Sequence, residues 1–504
     1  LEYAGTLSCG PHERGAKICS RDPNFSYFAH ESIFPFIFDP ESPESFAFDG
    51  LTRDVVLHVP ADLDVVATGQ KISEMVDGTT KTSTWSIDRP LSRIVGMYAI
   101  VGKLGKKTVE GRSVPTMLVF PAPEQTVDRE LASWSRPTLD FVEAASGRTL
   151  PFDRGLSLVR LPRSLGDPGT ATFGMTLLSD SYSRMGSLLH EETWAHENAH
   201  LFWGVVVPET DAKESRLMSE GMATLTELEY TRSRHFAGED RDLYLARRFV
   251  PIGLDIRAQV ETVPPIQVSP DAEITEDYRG PRYMLWAYYK TSATLDHLRV
   301  TLGEDVFSDV LSSYFTRCSF VGCRPDMLRE IATEKSGSDM TPFFERWVEG
   351  SERPRVVIAF TPTSGGADLE LSKEDERPMT LELWIGLADG SRRKQRVELG
   401  SRTSRIHVDT PARVSSVSAS PRHDVLVDAR SAVAGDLDFD GETDGFDILR
   451  CTTLVGRIYE NRGATGLWNV AETFDPRCDV DGHTRIDDAD LAALAAQFGA
   501  VRKR

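Results

Sequence analysis

The chain is 504 residues long, room for roughly three or four domains, and its 40% hydrophobic content is that of an ordinary globular protein. Its 57 basic residues against 77 acidic ones give a net charge of -20, which argues against nucleic acid or any other polyanionic partner. No run of about eighteen apolar residues occurs, so the sequence predicts no membrane span.

The first residue is Leu1, and we expect that a signal peptide once preceded it. The six cysteines fall as near neighbours, Cys9 with Cys19, Cys318 with Cys323 and Cys451 with Cys478. Local pairing is the simplest of the connectivities six cysteines allow, and disulfides imply an oxidising compartment. The protein is therefore expected to be secreted or at the cell surface, extracellular or periplasmic.

Up to about residue 125 the text reads as β-structure. Asp54 to Pro60 and Arg93 to Gly102 are β-branched runs set between turns such as Asp77-Gly78. From about 127 to 350 the periodicity turns helical, with apolar positions at Leu131, Trp134, Leu139 and Val142 and again at Val306, Val310, Tyr314 and Phe315. The proline-bearing stretch from about 254 to 280 is predicted as a loop.

Inside the helical stretch stands His196-Glu197-Asn198-Ala199-His200, followed by Glu220 in Ser219-Glu220-Gly221. On a helix the two histidines lie one turn apart on one face, so both imidazoles can reach one ion. Glu220 can supply a third ligand from a second helix, leaving a fourth position open as catalytic zinc requires. Glu197 projects beside the ligands, placed to take a proton from metal-bound water. The bland alternative is an exposed helix that happens to carry two histidines.

The flanking text, Leu201-Phe202-Trp203-Gly204 and Met218-Ser219-Glu220-Gly221-Met222-Ala223, resembles the zinc aminopeptidases related to aminopeptidase N. One more residue separates His200 from Glu220 than that family usually has, which is the thermolysin spacing; we read it as an insertion between Val205 and Glu214. The resemblance makes Glu227 an acceptor that orients a zinc-bound imidazole, against the alternative of a solvated helix-face charge. Tyr288-Tyr289-Lys290-Thr291 resembles the family's Y-x-K-G segment and implies Tyr288 as the oxyanion donor, with Tyr289 and Tyr283 as alternative registers. Phe34 to Pro40 resembles a segment of the family's N-terminal β-domain, and Asp339 to Trp347 its helical close.

The family's amine-anchoring G-x-M-E-N loop has its best match at Gly174-Met175, which the resemblance makes substrate-binding residues. Thr176 stands where the family has the glutamate that holds a substrate's N-terminal ammonium, and Asp180 is a possible substitute. Without that acid, peptide-bond hydrolysis is unaffected in principle while exopeptidase selectivity is open.

Beyond 352 come alternating strands at Val356 to Phe360, Thr380 to Leu387, Gln395 to Leu399 and Arg405 to Val408, which fit a small β-sandwich. Next, Asp436, Asp438, Asp440, Gly441, Asp444 and Asp447 fall at positions 1, 3, 5, 6, 9 and 12 of a calcium loop. A second copy holds Asp479, Asp481, Asp487 and Asp490, with His483 and Thr484 at its fifth and sixth positions, so weaker binding is expected. Aspartate at the twelfth position resembles the dockerin type, which implies Ca2+ and a cohesin-like scaffold or cell-surface protein as partner.

The expected architecture is thus a multidomain α+β protein. It comprises an N-terminal β-domain at 1–126, a thermolysin-like, mostly helical zinc peptidase domain at 127–352, a β-sandwich at 353–430 and a helical dockerin-like domain at 431–504. The expected function is hydrolysis of peptide or protein substrates with Zn2+, either as an aminopeptidase or as an endopeptidase of thermolysin-like type. A calcium-dependent scaffold-attached protein with an inactive peptidase domain is the further alternative.

Overall fold

Short β-branched runs become strands here because each has a buried partner surface to pack on. A computed structural model describes residues 19–20, 25–28, 51–91, 97–165, 169–209, 216–259, 285–324, 326–456, 475, 477–480, 483 and 485–501. The Phe34 to Pro40 segment, Tyr283, Asp481 and the pairing of Cys9 with Cys19 lie outside the described residues. The chain divides into two compact units, Leu1–Ala237 with Asp309–Ile331, and Gly238–Ser308 with Ala332–Arg504.

In the first unit, β1 (Cys19–Ser20), β2 (Phe25–Phe28), β4 (Asp64–Ala67) and β7 (Ala99–Gly102) form a sheet in the order β1-β2-β7-β4. A second sheet pairs β3 (Leu51–Pro60), β6 (Thr80–Leu91) and β5 (Gln70–Asp77) in the order β3-β6-β5. Asp77-Gly78 makes the expected hairpin turn, with Gly78 at φ 58°, a left-handed conformation that glycine adopts without strain.

The sheet that carries the site has five strands: β8 (Leu104–Thr108), β9 (Thr116–Pro121), β10 (Leu156–Leu161), β11 (Gly169–Thr172) and β12 (Met175–Ser179), in the order β11-β12-β10-β9-β8. Its strands come from both sides of residue 126. The three central strands run parallel, and α1 (Thr126–Ser146) crosses over from β9 to β10.

The stretch expected to be helical therefore contains three strands. Leu156–Leu161 and Met175–Ser179 are buried on both faces, so they read as continuous apolar runs instead of alternating ones. The stretch expected as a loop is helical at its start, since α4 spans Arg241–Gln259; its remainder lies outside the described residues.

Helix α1 is fixed at both ends by local chemistry. Gln125 N–H donates to the Asp128 carboxylate at 2.7 Å, and Gly147 ends the helix at φ 65°, with Arg148 N–H reaching Glu143 O at 3.1 Å. The same Asp128 accepts from Arg160 of β10 at 2.6 and 3.2 Å, and both side chains are almost fully buried. Removing one partner of such a pair leaves an uncompensated buried charge, a cost of about 3–5 kcal/mol.

In the second unit the sandwich is present as two sheets. One is β17-β14-β13-β19, of β13 (Arg355–Thr363), β14 (Gly366–Lys373), β17 (Thr403–Asp409) and β19 (Asp428–Ser431). The other is β16-β15-β18, of β15 (Met379–Leu387), β16 (Arg392–Leu399) and β18 (Val414–Ala419). Alternate residues such as Ile358, Leu369, Leu383, Ile385 and Val417 are buried between them.

Buried Arg422 pairs with Asp242 of α4 and with Asp296 of the helix Thr291–Leu302, tying these helices to the sandwich. At the C-terminus, helices Gly445–Thr452 and Asp488–Ala495 pack around Leu437, Ile486, Leu494 and the Cys451–Cys478 disulfide. Cys318 and Cys323 form a second disulfide. Among the described residues no helix is long and apolar enough to cross a membrane.

Candidate metal centre and active site

Helix α2 (Ser187–Ala199) carries His196 and Glu197, and His200 caps its end in right-handed helical geometry. The helix is held on α1 by hydrogen bonds from Trp194 Nε1 to Ser135 Oγ at 3.3 Å and from Asn198 Nδ2 to Thr138 Oγ1 at 3.1 Å. Glu220 lies in the π-helical turn Leu217–Gly221 that runs into α3 (Met222–His235). Glu191 of α2 binds α3 through Tyr230 Oη at 2.6 Å, Arg234 Nε at 2.6 Å and His235 Nε2 at 3.0 Å. Buried charge-assisted bonds of this kind hold the two ligand-bearing helices in one register.

The three expected ligands converge. His196 Nε2 and His200 Nε2 are 3.0 Å apart, and Glu220 Oε2 lies 3.3 Å from the first and 3.1 Å from the second. Four ligands at about 2.0–2.1 Å from zinc in a tetrahedron stand about 3.3 Å from one another, so the donor set fits that ion. The far nitrogens are also engaged, since His196 Nδ1 faces Glu227 Oε2 at 2.9 Å and His200 Nδ1 faces Trp203 O at 2.9 Å. Those contacts orient both rings so that their Nε2 atoms face the donor triangle. The resemblance pointed to Glu227; the Trp203 carbonyl carries no signal in side-chain identity.

Glu197 is 7% exposed and makes no edge of the donor triangle. Burial pushes its carboxyl up to about 7, against the pull of both imidazoles, so it can take up and return a proton near neutral pH. Burial would raise Glu220 too, yet the imidazoles of His200 and His196 hold it well below the usual carboxylate range. Gly169, at the start of β11, approaches Glu197 so closely that a β-carbon there would collide with Oε1. Sequence reasoning missed this glycine, which stands in no motif.

Gly174 and Met175, the expected substrate-binding residues, stand at a hairpin of the site-bearing sheet. Gly174, at φ 72°, closes the β11–β12 hairpin against the backbone of Gly69, and Met175 and Thr176 are fully buried in β12. All three residues are buried. A Gly-Met pair marks a tight turn here, since glycine alone takes that conformation without strain. Asp180 is paired with Arg163 at 3.4 Å and so is not a free acid. Tyr288 lies in the π-helical turn Leu285–Lys290 of the second unit, partly buried, next to buried Tyr289.

Residues 168–347 match the Peptidase family M1 domain. The matched segment holds the whole donor set together with Glu197. No curated protein sequence matches the chain significantly. Among solved structures, aminopeptidase A of Legionella pneumophila, crystallised with aspartic acid, matches 82% of this chain at 13% identity with a TM-score of 0.64. The chain spans about half of that protein, 48% of its length. The M1 zinc metallopeptidase of Deinococcus radiodurans matches 69% of this chain and 73% of its own at 21% identity, with a TM-score of 0.52. At such identities the likeness is one of fold.

The acidic loops are partly assembled. Carboxylate oxygens of Asp436, Asp438 and Asp440 lie within 4.8 Å of one another. Asp444 and Asp447 bond to backbone amides: Asp444 accepts from Phe446 N–H at 2.7 Å, and Asp447 from Leu437 N–H at 2.6 Å and Asp444 N–H at 2.9 Å. The same pattern recurs in the second copy. There Asp487 accepts from Ala489 N–H at 2.8 Å, Asp490 from Val480 N–H at 2.7 Å and Asp487 N–H at 2.8 Å, and Asp479 from His483 N–H at 3.0 Å.

Proposed function

We propose that the protein is a secreted zinc peptidase, aminopeptidase-like, in which Glu197 is the general base of peptide-bond hydrolysis. The observation that carries this reading is the triangle of His196, His200 and Glu220 donor atoms at 3.0–3.3 Å with buried Glu197 beside it. A zinc ion held there supplies Lewis acidity toward the substrate carbonyl and lowers the pKa of water. Glu197 then accepts the proton of the attacking water on a carboxylate oxygen and passes it to the leaving amine. Glu227 and Trp203 O fix the imidazole orientations.

Tyr288 is assigned on resemblance as donor to the oxyanion. Tyr288→Phe is expected to lower kcat by about 10²–10³-fold, with KM little changed, in steady-state assays.

An endopeptidase of thermolysin-like type is the second reading, suggested by Thr176 standing where the resemblance expects the ammonium-holding glutamate. Matched free and N-acetylated peptides separate the two. The aminopeptidase predicts at least about a 100-fold preference in kcat/KM for the free amine, worth about 2.7 kcal/mol. Equal cleavage of both would make it an endopeptidase.

Secretion rests on the disulfides Cys318–Cys323 and Cys451–Cys478, which persist in oxidising compartments. For residues 431–504 the proposal is a dockerin-like module that binds calcium and attaches the enzyme to a cohesin-like scaffold or surface protein. In support, burial pushes Asp438 up to about 6, with Asp440 and Asp447 adding repulsion that a bound cation would relieve. Calcium is expected to raise the unfolding temperature of wild-type protein and to have a much smaller effect on Asp440→Ala. Equal curves with calcium and with chelator would remove the module from the proposal.

A further inference from the structure

Glu220 is delivered to the metal centre at the end of a loop whose length differs from the family spacing, yet its carboxylate meets both imidazoles. A loop of free length does not by itself fix a ligand to a few tenths of an ångström. The residues at its two ends are therefore decisive.

Glu209 stands before the loop and is 5% exposed. Its Oε1 accepts from Met218 N–H at 2.9 Å, and its Oε2 accepts from Ser219 Oγ–H at 2.8 Å. Met218 and Ser219 are the two residues immediately before Glu220. One buried carboxylate thus joins the two ends of the loop and holds the turn that presents the third ligand.

Glu209 is itself anchored. It forms a parallel bridge with Cys323, whose N–H donates to Pro208 O at 3.2 Å, while Phe320 N–H donates to Val206 O at 2.8 Å. Cys318 and Cys323 close the short loop that supplies these donors, and both are buried.

We infer that Glu209, braced by the Cys318–Cys323 loop, is the positioning residue for Glu220, setting the metal affinity of the site independently of the length of the intervening loop. It touches neither metal nor substrate. Its effect is entropic, because each held bond removes freedom that Glu220 would otherwise lose on binding. The inference rests on the zinc reading above.

The test is zinc affinity, read by competition with a chromogenic chelator on folded protein, for wild type, Glu209→Ala, Glu209→Gln and Ser219→Ala. Glu209→Ala is expected to weaken zinc binding by about 10–100-fold, the range seen when outer groups around ligands are lost. Glutamine can still accept from Met218 and pair with the Ser219 hydroxyl, so Glu209→Gln should recover to within about threefold of wild type. Ser219→Ala loses one bond of the two and is expected to weaken binding by about 3–10-fold.

Unchanged affinity in Glu209→Ala overturns the inference. Should that variant fail to fold, Ser219→Ala decides, and wild-type affinity there overturns it equally. A wild-type protein that takes up no zinc would sink the zinc reading and this inference with it, whereas normal wild-type uptake with unaffected variants would sink this inference alone.

Discussion

Glu197→Gln is expected to lower kcat by about 10³-fold while zinc content and KM stay at wild-type values, within the 10²–10⁴-fold that a positioned general base contributes. Glutamine has the shape of glutamate, so it fits the buried space beside Gly169 without adding atoms near that backbone. The donor triangle of His196, His200 and Glu220 does not include Glu197, so the metal should remain. What disappears is the ability to accept a proton, which a neutral amide lacks. Metal analysis paired with single-turnover cleavage of one peptide checks both halves. Substantial residual hydrolysis at full zinc occupancy would remove Glu197 from the role of base and leave the triangle without an assigned chemistry.

What sequence could and could not reveal follows from how each feature is encoded. The zinc triangle was legible because helical periodicity alone puts His196 and His200 on one face, and Ser219-Glu220-Gly221 repeats a known phrase. The sandwich was legible because its strands have one wet face and alternate, as Met379–Leu387 does. The strands β10 and β12 were hidden for the opposite reason, since they are buried on both faces and lose the alternation.

Elsewhere the letters leave the local geometry unstated. Gly174-Met175 resembles a substrate loop by its letters, and only the structure shows that its left-handed glycine and buried methionine sit at a hairpin turn. Asp444 and Asp447 satisfy calcium-loop spacing and a helix capping box at once, and spacing alone does not say that their oxygens accept backbone N–H groups. Glu209 carries no motif at all. Its partners are a backbone amide and a hydroxyl across an intervening loop, a relation visible only in three dimensions.

The apparent zinc affinity is expected to climb steeply with pH, by up to about 100-fold per unit while both imidazoles must still give up a proton, since each displaced proton contributes a factor of about ten. Burial alone would depress His196, but Glu227 and Glu220 more than offset it and raise the ring well above the ordinary value of 6.5. His200 is raised as well, with burial opposed chiefly by Glu220. For the metal-free protein, a raised imidazole adds stability that is fully present below pH 6.5 and is lost as the pH rises through the folded-state value.

Zinc replaces those protons, so the metal-loaded and metal-free proteins should respond to pH in opposite senses. Glu227→Gln separates the two contributions of that carboxylate. It should flatten the pH profile by lowering the proton affinity of His196, and weaken zinc binding by about 10–100-fold at high pH, where orientation of the ring is all that remains. Competition titrations in metal buffers across the pH range measure both, and an affinity independent of pH in the wild type would show that the two imidazoles are not the ligands.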